Sequence, residues 1–291
     1  MTIGFIGQGW LGKNYADDFE RRGFSVVRYS KEPEYAGNAE KIKECDIVFV
    51  AVPTPTTPNA EGGKNKTHFD GSILPKVLPL VGEGKIAVIR STLAPGTTKE
   101  LQKQFPKIFV MHAPEFLAEK TAADDAAHPQ RNIVGTPART PEYEAKAKLV
   151  LSVLPKAPYE LVTGSTEAEI IKYAGNSFLM WKVLFGNVIY DIAHELDADY
   201  GAISDALGKD PRIGSSHLKV VDESGHPGSV AGRGAGGHCF IKDFAVLADV
   251  YAELVGDPEG VALMRAFEEK NKKLLRDSGK DIDLLSGVYG E

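Results

Sequence analysis

The sequence predicts an α/β protein: a Rossmann-type, doubly wound parallel sheet followed by a helical domain built around one long helix. Three observations predict it. Apolar runs of strand length alternate with helical patterns across residues 1–163. Most of those runs are apolar at successive positions, as strands buried on both faces of a parallel sheet are. Beyond Thr163 the alternation stops, and residues 165–199 hold no proline and only two glycines.

The strand-length runs are TIGFIG (2–7), FSVVRY (24–29), DIVFVAV (46–52), KIAVIRS (85–91), KIFVMH (107–112), RNIVGT (131–136) and YELVT (159–163). Helical patterns intervene at about 11–22, 71–81, 97–105 and 141–153. The stretch 165–199 opens on Ser165-Thr166 with an acidic first turn, which reads as the start of one helix. Its apolar residues spread around much of its circumference, so it is expected to be buried on several sides. The end, 276–291, is polar and reads as a tail with a mobile end. This gives a cofactor-binding domain at 1–163, a helical domain at 164–275 and a tail at 276–291.

Bulk composition bounds the function. The 291 residues are 43% hydrophobic and 25% charged, enough for two domains of a soluble globular protein. The net charge of −6, with no long like-charge run, argues against nucleic acid or an anionic membrane as partner. No apolar run approaches the roughly 20 residues that span a bilayer, and the start lacks the pattern of a signal peptide. Two cysteines, Cys45 and Cys239, are too few for a disulfide framework, which points to a reducing cytoplasm.

Gly7, Gly9 and Gly12 stand in GxGxxG spacing directly after the first strand and open a helix. In that context they read as a dinucleotide loop: a tight turn at Gly7, room for a pyrophosphate at Gly9, close helix packing at Gly12. The helix amino terminus then offers free N–H groups to the phosphates. At the end of the second strand, where an NAD-binding fold usually places Asp or Glu, stands Ser30, flanked by Arg28 and Lys31. Ser30 with a cation suits a 2′-phosphate, whereas Glu32 and Glu34 suit a 2′-hydroxyl after a small shift. NAD and NADP both stay open on these residues.

Further stretches carry polar residues at strand ends, where α/β ligands bind: VPTP with Pro53 and Thr54, and STLAPGTT with Thr92. PEFLAE follows, with Glu115 and Glu119 four apart. Lys172 and Asn176 fall one turn apart on the long helix. Within GRGAGGHCFIKD, Cys239 follows a glycine run and His238. Such a thiol is either a small residue under a turn or a nucleophile, since glycine lets a ligand approach the backbone. Cys45 has no motif around it and reads as a buried small residue. His112, His217 and His226 show no metal-ligand spacing, and no metal is expected.

In this order the motifs resemble those of the UDP-glucose/GDP-mannose dehydrogenase family of nucleotide-sugar dehydrogenases, over about residues 1–275. The resemblance implies an NAD-dependent, four-electron oxidation of a sugar primary alcohol to a carboxylate. It tilts the cofactor toward NAD, with NADP as the alternative. It implies that Cys239 is the nucleophile, with Lys172 and Asn176 as the catalytic pair. Glu115 would activate water, Thr92 would lie at the reacting centre, and Asp243 near the lysine. Cofactor contacts would be Gly7, Gln8, Gly9, Trp10, Leu11, Gly12, Ser30, Lys31, Pro53, Thr54, Glu119 and Lys242. Substrate contacts would be Phe116, Leu117, Arg212, Lys219, Gly234 and Gly236, Arg212 typically reaching a neighbouring subunit. A cleft between the domains and a homodimer through the long helix are further implications.

Two departures stand out. Extra residues at about 220–230 lengthen the sugar-binding loop, and His238 replaces a small residue before the thiol. The reading also expects the family's usual C-terminal nucleotide-binding domain to be lacking. A two-electron hydroxyacid dehydrogenase shares the layout and a helical Lys/Asn pair, but not the GGHCFIKD thiol. A non-catalytic cofactor-binding subunit is the other alternative.

Overall fold

The computed structural model describes residues 1–58, 69–118, 121–226 and 228–290. Seven strands form one sheet: β1 (Thr2–Ile6), β2 (Ser25–Tyr29), β3 (Ile47–Val50), β4 (Ile86–Ile89), β5 (Phe109–His112), β6 (Arg131–Thr136) and β7 (Tyr159–Gly164). Their spatial order is β2-β1-β3-β4-β5-β6-β7. The helices among them are α1 (Trp10–Arg21), α2 (Pro33–Ala36), α3 (Ala39–Glu44), α4 (Leu74–Val77), α5 (Thr97–Gln104), α6 (Ala122–Ala127) and α7 (Pro141–Val153). Every residue of β3 and β4 is buried, as their unbroken apolar runs predict. Phe5, Phe19 and Phe49 meet in the core, Phe5 stacked on Phe49 at 5.2 Å between ring centroids.

The sheet is not wholly parallel. β6 meets β5 antiparallel, through His112 opposite Gly135, and then pairs β7 in parallel. Among the described residues, the connection between β5 and β6 carries the six-residue α6, too little helix for a full crossover, and the chain turns back. The predicted helix at 71–81 is likewise shortened, to α4 and a 3₁₀ turn at Leu78–Leu80. Pro75 and Pro79 each start a short turn that a continuous helix would not tolerate in its interior.

The chain divides into two compact units, Met1–Thr54 with Asp70–Lys172, and Pro55–Phe69 with Tyr173–Glu291. The long helix α8 (Ser165–Glu195) stops short of the expected 199. Asp197 takes a left-handed φ of 51°, and Asp199 caps the next helix, α9 (Tyr200–Lys209), by accepting from the Gly201 N–H. A two-stranded ribbon, β8 (Val221–Asp222) with β9 (Gly232–Arg233), precedes α10 (Gly237–Leu254) and α11 (Pro258–Ser278).

Much of the stretch expected as a tail is helical. After a left-handed Gly279 cap, the chain forms α12 (Ile282–Tyr289), whose Leu285 and Val288 are buried against Ile241, Ala245 and Leu275. Leu284 and Tyr289 pack against the same cluster, so an apolar face of this short helix docks it. Among the described residues, no helix is long and apolar enough to cross a membrane.

Candidate active site

The glycine loop fits a dinucleotide. Gly7 has φ +94°, and a Cβ there would lie 2.2 Å from the Ala51 carbonyl oxygen. A Cβ on Gly12 would lie 2.0 Å from the Gly7 carbonyl, so both positions need glycine for backbone approach. At Gly9, the N-cap of α1, a Cβ would meet nothing within 4 Å. No side chain caps α1 and its first turn has no acid, which leaves its N–H groups and positive dipole end for an anion. Gln8 bonds back to the Gly7 carbonyl, Trp10 is exposed and Leu11 half-buried.

At the end of β2, Ser30 is buried while Lys31, Glu32 and Glu34 are exposed. Arg28 is already engaged, its guanidinium 2.7 Å from both Asp17 and Glu20, with a longer bond to Gln8. It is therefore not available to a 2′-phosphate. The Ser30 hydroxyl beside Glu32 holds that carboxyl below its usual range, which keeps it an acceptor.

The strand-end motifs are tied to one another. Thr54 donates to the Thr92 carbonyl at 2.9 Å, and Ser91 bonds both backbone groups of Val52. Pro53 is exposed beside them. Glu115 is buried, and its carboxylate is held on both oxygens: Oε2 accepts from the Leu117 N–H at 2.8 Å, Oε1 from Lys172 Nζ at 3.0 Å. Lys172 also donates to the Glu115 carbonyl. Phe116 lies beneath the Arg131 guanidinium, 3.8 Å from its ring centroid, with Lys172 Nζ at 5.8 Å. Glu119 lies outside the described residues.

Residues that the sequence reading passed over hold this unit together. Glu169, fully buried one turn before Lys172, accepts from the Gly96 and Thr98 N–H groups and the Thr98 hydroxyl. It thereby anchors the PGTT turn to α8; burial outweighs those bonds and raises its carboxyl. His112 is buried and donates from Nδ1 to the Ile89 carbonyl, and burial drives its pKa down to about 3. It is a neutral core histidine.

In the second unit, Asn176 donates to Asp243 Oδ2 at 2.6 Å and Lys242 to Asp243 Oδ1 at 2.7 Å. Asp243 is fully buried, and Asn176 is its amide partner. Cys239 is partly exposed and is the third residue of α10. Gly234 has φ +92°, and its loop is held by Asn271, which bonds both backbone groups of Ala235. A Cβ on Gly236 would fall 2.0 Å from Asp281 Oδ2. Arg212 is exposed and paired with Asp210, and Lys219 is exposed and paired with Asp222. Cys45 is fully buried, its thiol pushed up to about 11, chiefly by burial.

Comparison with known proteins bears on this arrangement. The NAD-binding domain of the UDP-glucose/GDP-mannose dehydrogenase family matches residues 35–151, and that family's central domain matches 166–273. The chain belongs to the UDP-glucose/GDP-mannose dehydrogenase family. NAD, the cofactor to which the motifs tilt, agrees with the first of those descriptions. A putative UDP-glucose 6-dehydrogenase of Bacillus subtilis is 33% identical over 259 residues, covering 85% of this chain and 53% of the relative. The chain thus spans about half the length of that curated family member.

The structure of a UDP-glucose dehydrogenase from Pyrobaculum islandicum superposes with a TM-score of 0.77 at 26% identity, covering 94% of this chain and 68% of that one. A 3-hydroxyisobutyrate dehydrogenase of Mycobacterium tuberculosis also superposes, with a TM-score of 0.68 at 17% identity over 99% and 97% of the two chains. That likeness is one of fold alone. The fold therefore does not by itself assign a substrate; the site residues must.

Proposed function

We propose that this member of the family carries the chemistry of an NAD-dependent, four-electron oxidation of a nucleotide-sugar primary alcohol to the uronate. The observation that carries the proposal is Cys239, a partly exposed thiol in the first turn of α10 behind a glycine loop. A thiol placed there can add to a carbonyl carbon as its thiolate.

The loop Gly7–Gly12 and the open end of α1 would hold NAD, which when bound accepts a hydride in each of the two oxidations. The ammonium of Lys172 and the amide of Asn176 are assigned to the substrate oxygen, where they stabilise the alkoxide as the alcohol gives its proton to water. The Cys239 thiolate adds to the aldehyde carbon to give a thiohemiacetal, and oxidation of that adduct leaves a thioester. Glu115, its carboxylate oriented from both sides, takes a proton from the water that cleaves the thioester. Carboxylate is released and the thiol restored.

Cofactor choice follows from Arg28. With its guanidinium paired to Asp17 and Glu20 and Glu32 ionised, the ribose end suits the 2′-hydroxyl of NAD. UDP-glucose is the first substrate to try, because the relatives' names carry it. A homodimer through α8 fits a stripe of exposed apolar residues on one face, Phe178, Phe185, Val188, Ile192 and Leu196. The uronate product would feed acidic polysaccharide synthesis in a reducing cytoplasm.

The test is a screen of nucleotide sugars against NAD and NADP, following reduced cofactor and product mass. Uronate formation from a nucleotide sugar supports the reading. Efficient oxidation confined to small hydroxy acids contradicts it and favours the two-electron alternative.

A further inference from the structure

We infer that Lys280 and Asp281, in the segment that reads from sequence as a tail, are positioning residues for Cys239. The inference rests on the reading of Cys239 as nucleophile. Both side chains belong to residues only 4% exposed, and they grip the glycine loop at its two ends. Lys280 Nζ donates to the Gly234 carbonyl at 3.0 Å, and Asp281 Oδ2 accepts from the Gly237 N–H at 2.7 Å.

Gly237 is the first residue of α10, and Gly236 at its N-cap has no side chain to satisfy the helix's opening N–H groups. Asp281 supplies that cap from 44 residues further along the chain. Its carboxylate fills the space a Cβ on Gly236 would occupy, which ties the absence of a side chain there to its presence. Cys239, two residues beyond Gly237, takes its place in the turn that this cap fixes.

The carboxylate is itself built in. Oδ2 also accepts from the Ser224 hydroxyl, and Oδ1 lies 2.9 Å from His226 Nε2. Burial raises the Asp281 carboxyl, but these bonds and that from Gly237 outweigh it and hold it below its usual range. Asp281 is a non-glycine residue at φ +52°, a conformation kept only where its surroundings demand it. Ser224 and His226 belong to the lengthened loop, so that extension serves the clamp. The His226 ring in turn packs edge-on against that of His238, next to the thiol, at 5.3 Å.

The test is Asp281→Ala in the full chain, with iodoacetamide alkylation of Cys239 and Cys45 followed by peptide mass mapping. Circular dichroism and unchanged Cys45 labelling report that the fold is kept. The expected result is Cys239 alkylation at least fivefold faster, because the first turn of α10 loosens. Turnover to uronate should fall at least tenfold, with the KM for NAD within twofold of wild type. A faster Cys239 beside an unchanged, fully buried Cys45 is not what global unfolding gives. Cys239 labelling less than fivefold faster than wild type overturns the inference. Should Asp281→Ala fail to fold, Lys280→Met is read against the same fivefold threshold. If the wild type oxidises no nucleotide sugar, the functional reading fails, while alkylation still decides whether the clamp holds the thiol.

Discussion

Lys172 sets its ammonium 3.0 Å from Glu115 Oε1 and 2.8 Å from the carbonyl oxygen of the same residue. Both residues are buried, Lys172 to 3% exposure and Glu115 to 9%. A buried pair of this kind is costly to break from one side, about 3 kcal/mol or more, because the partner is left as an uncompensated charge. The pair therefore fixes the carboxylate that we assign to thioester hydrolysis and the lysine side chain beside it.

Glu115→Gln keeps the shape and the acceptor for Lys172 while removing the base. It should leave the two oxidations intact and slow hydrolysis by about a hundredfold, within the usual range for a lost general base. Intact-protein mass spectrometry should then find a sugar-acyl adduct on Cys239 during turnover. Absence of any adduct with normal uronate release would remove Glu115 from the hydrolytic step.

The cofactor preference is a second expectation. Wild type should use NAD at least tenfold more efficiently than NADP, judged by kcat/KM. Neutralising the partners of Arg28, in the double variant Asp17→Asn with Glu20→Gln, frees a guanidinium beside Ser30 and should raise the NADP-to-NAD ratio. A ratio that does not move would show that Arg28 plays no part in reading the ribose.

Stability should depend on pH through His112. The unfolded imidazole titrates near 6.5 and the folded one near 3. Between those values the unfolded chain binds more protons, so the contribution is complete well above 6.5 and is lost as pH falls toward 3. Going from pH 6.5 to 5.0 should cost about 1 to 2 kcal/mol, which urea unfolding would measure. In His112→Gln that slope should shrink; an unchanged slope would mean that other groups dominate.

Association through α8 is the fourth expectation. Phe185→Glu places a charge in the middle of the exposed apolar stripe and should convert a dimer to monomer in analytical ultracentrifugation. A dimer that persists in this variant would place the interface elsewhere.

Much of the fold was legible because buried strands and glycine loops write local signals. β1, the turn at Gly7 and α1 follow directly from TIGFIGQGW, and α5 and α7 from their proline or glycine starts. The reversal of β6 was not legible, since it depends on the length and placement of α6 rather than on the residues of the strand. Nor was α12, a helix of only eight residues whose Leu285 and Val288 gain their meaning from the surface that covers them. Motif order named Glu115, Lys172 and Cys239. The residues that hold the neighbouring turns, Glu169, Asn271 and Asp281, act across 36 to 73 residues of sequence and leave no local pattern.

The central claim is that Cys239 divides a four-electron oxidation into two steps, and counting reduced cofactor per sugar consumed tests it most directly. Wild type should reduce two NAD for each nucleotide sugar and release uronate. Cys239→Ser should stop near the aldehyde, with at most one NAD reduced per sugar and no uronate. Two reduced cofactors and full uronate yield from the serine variant would contradict the account.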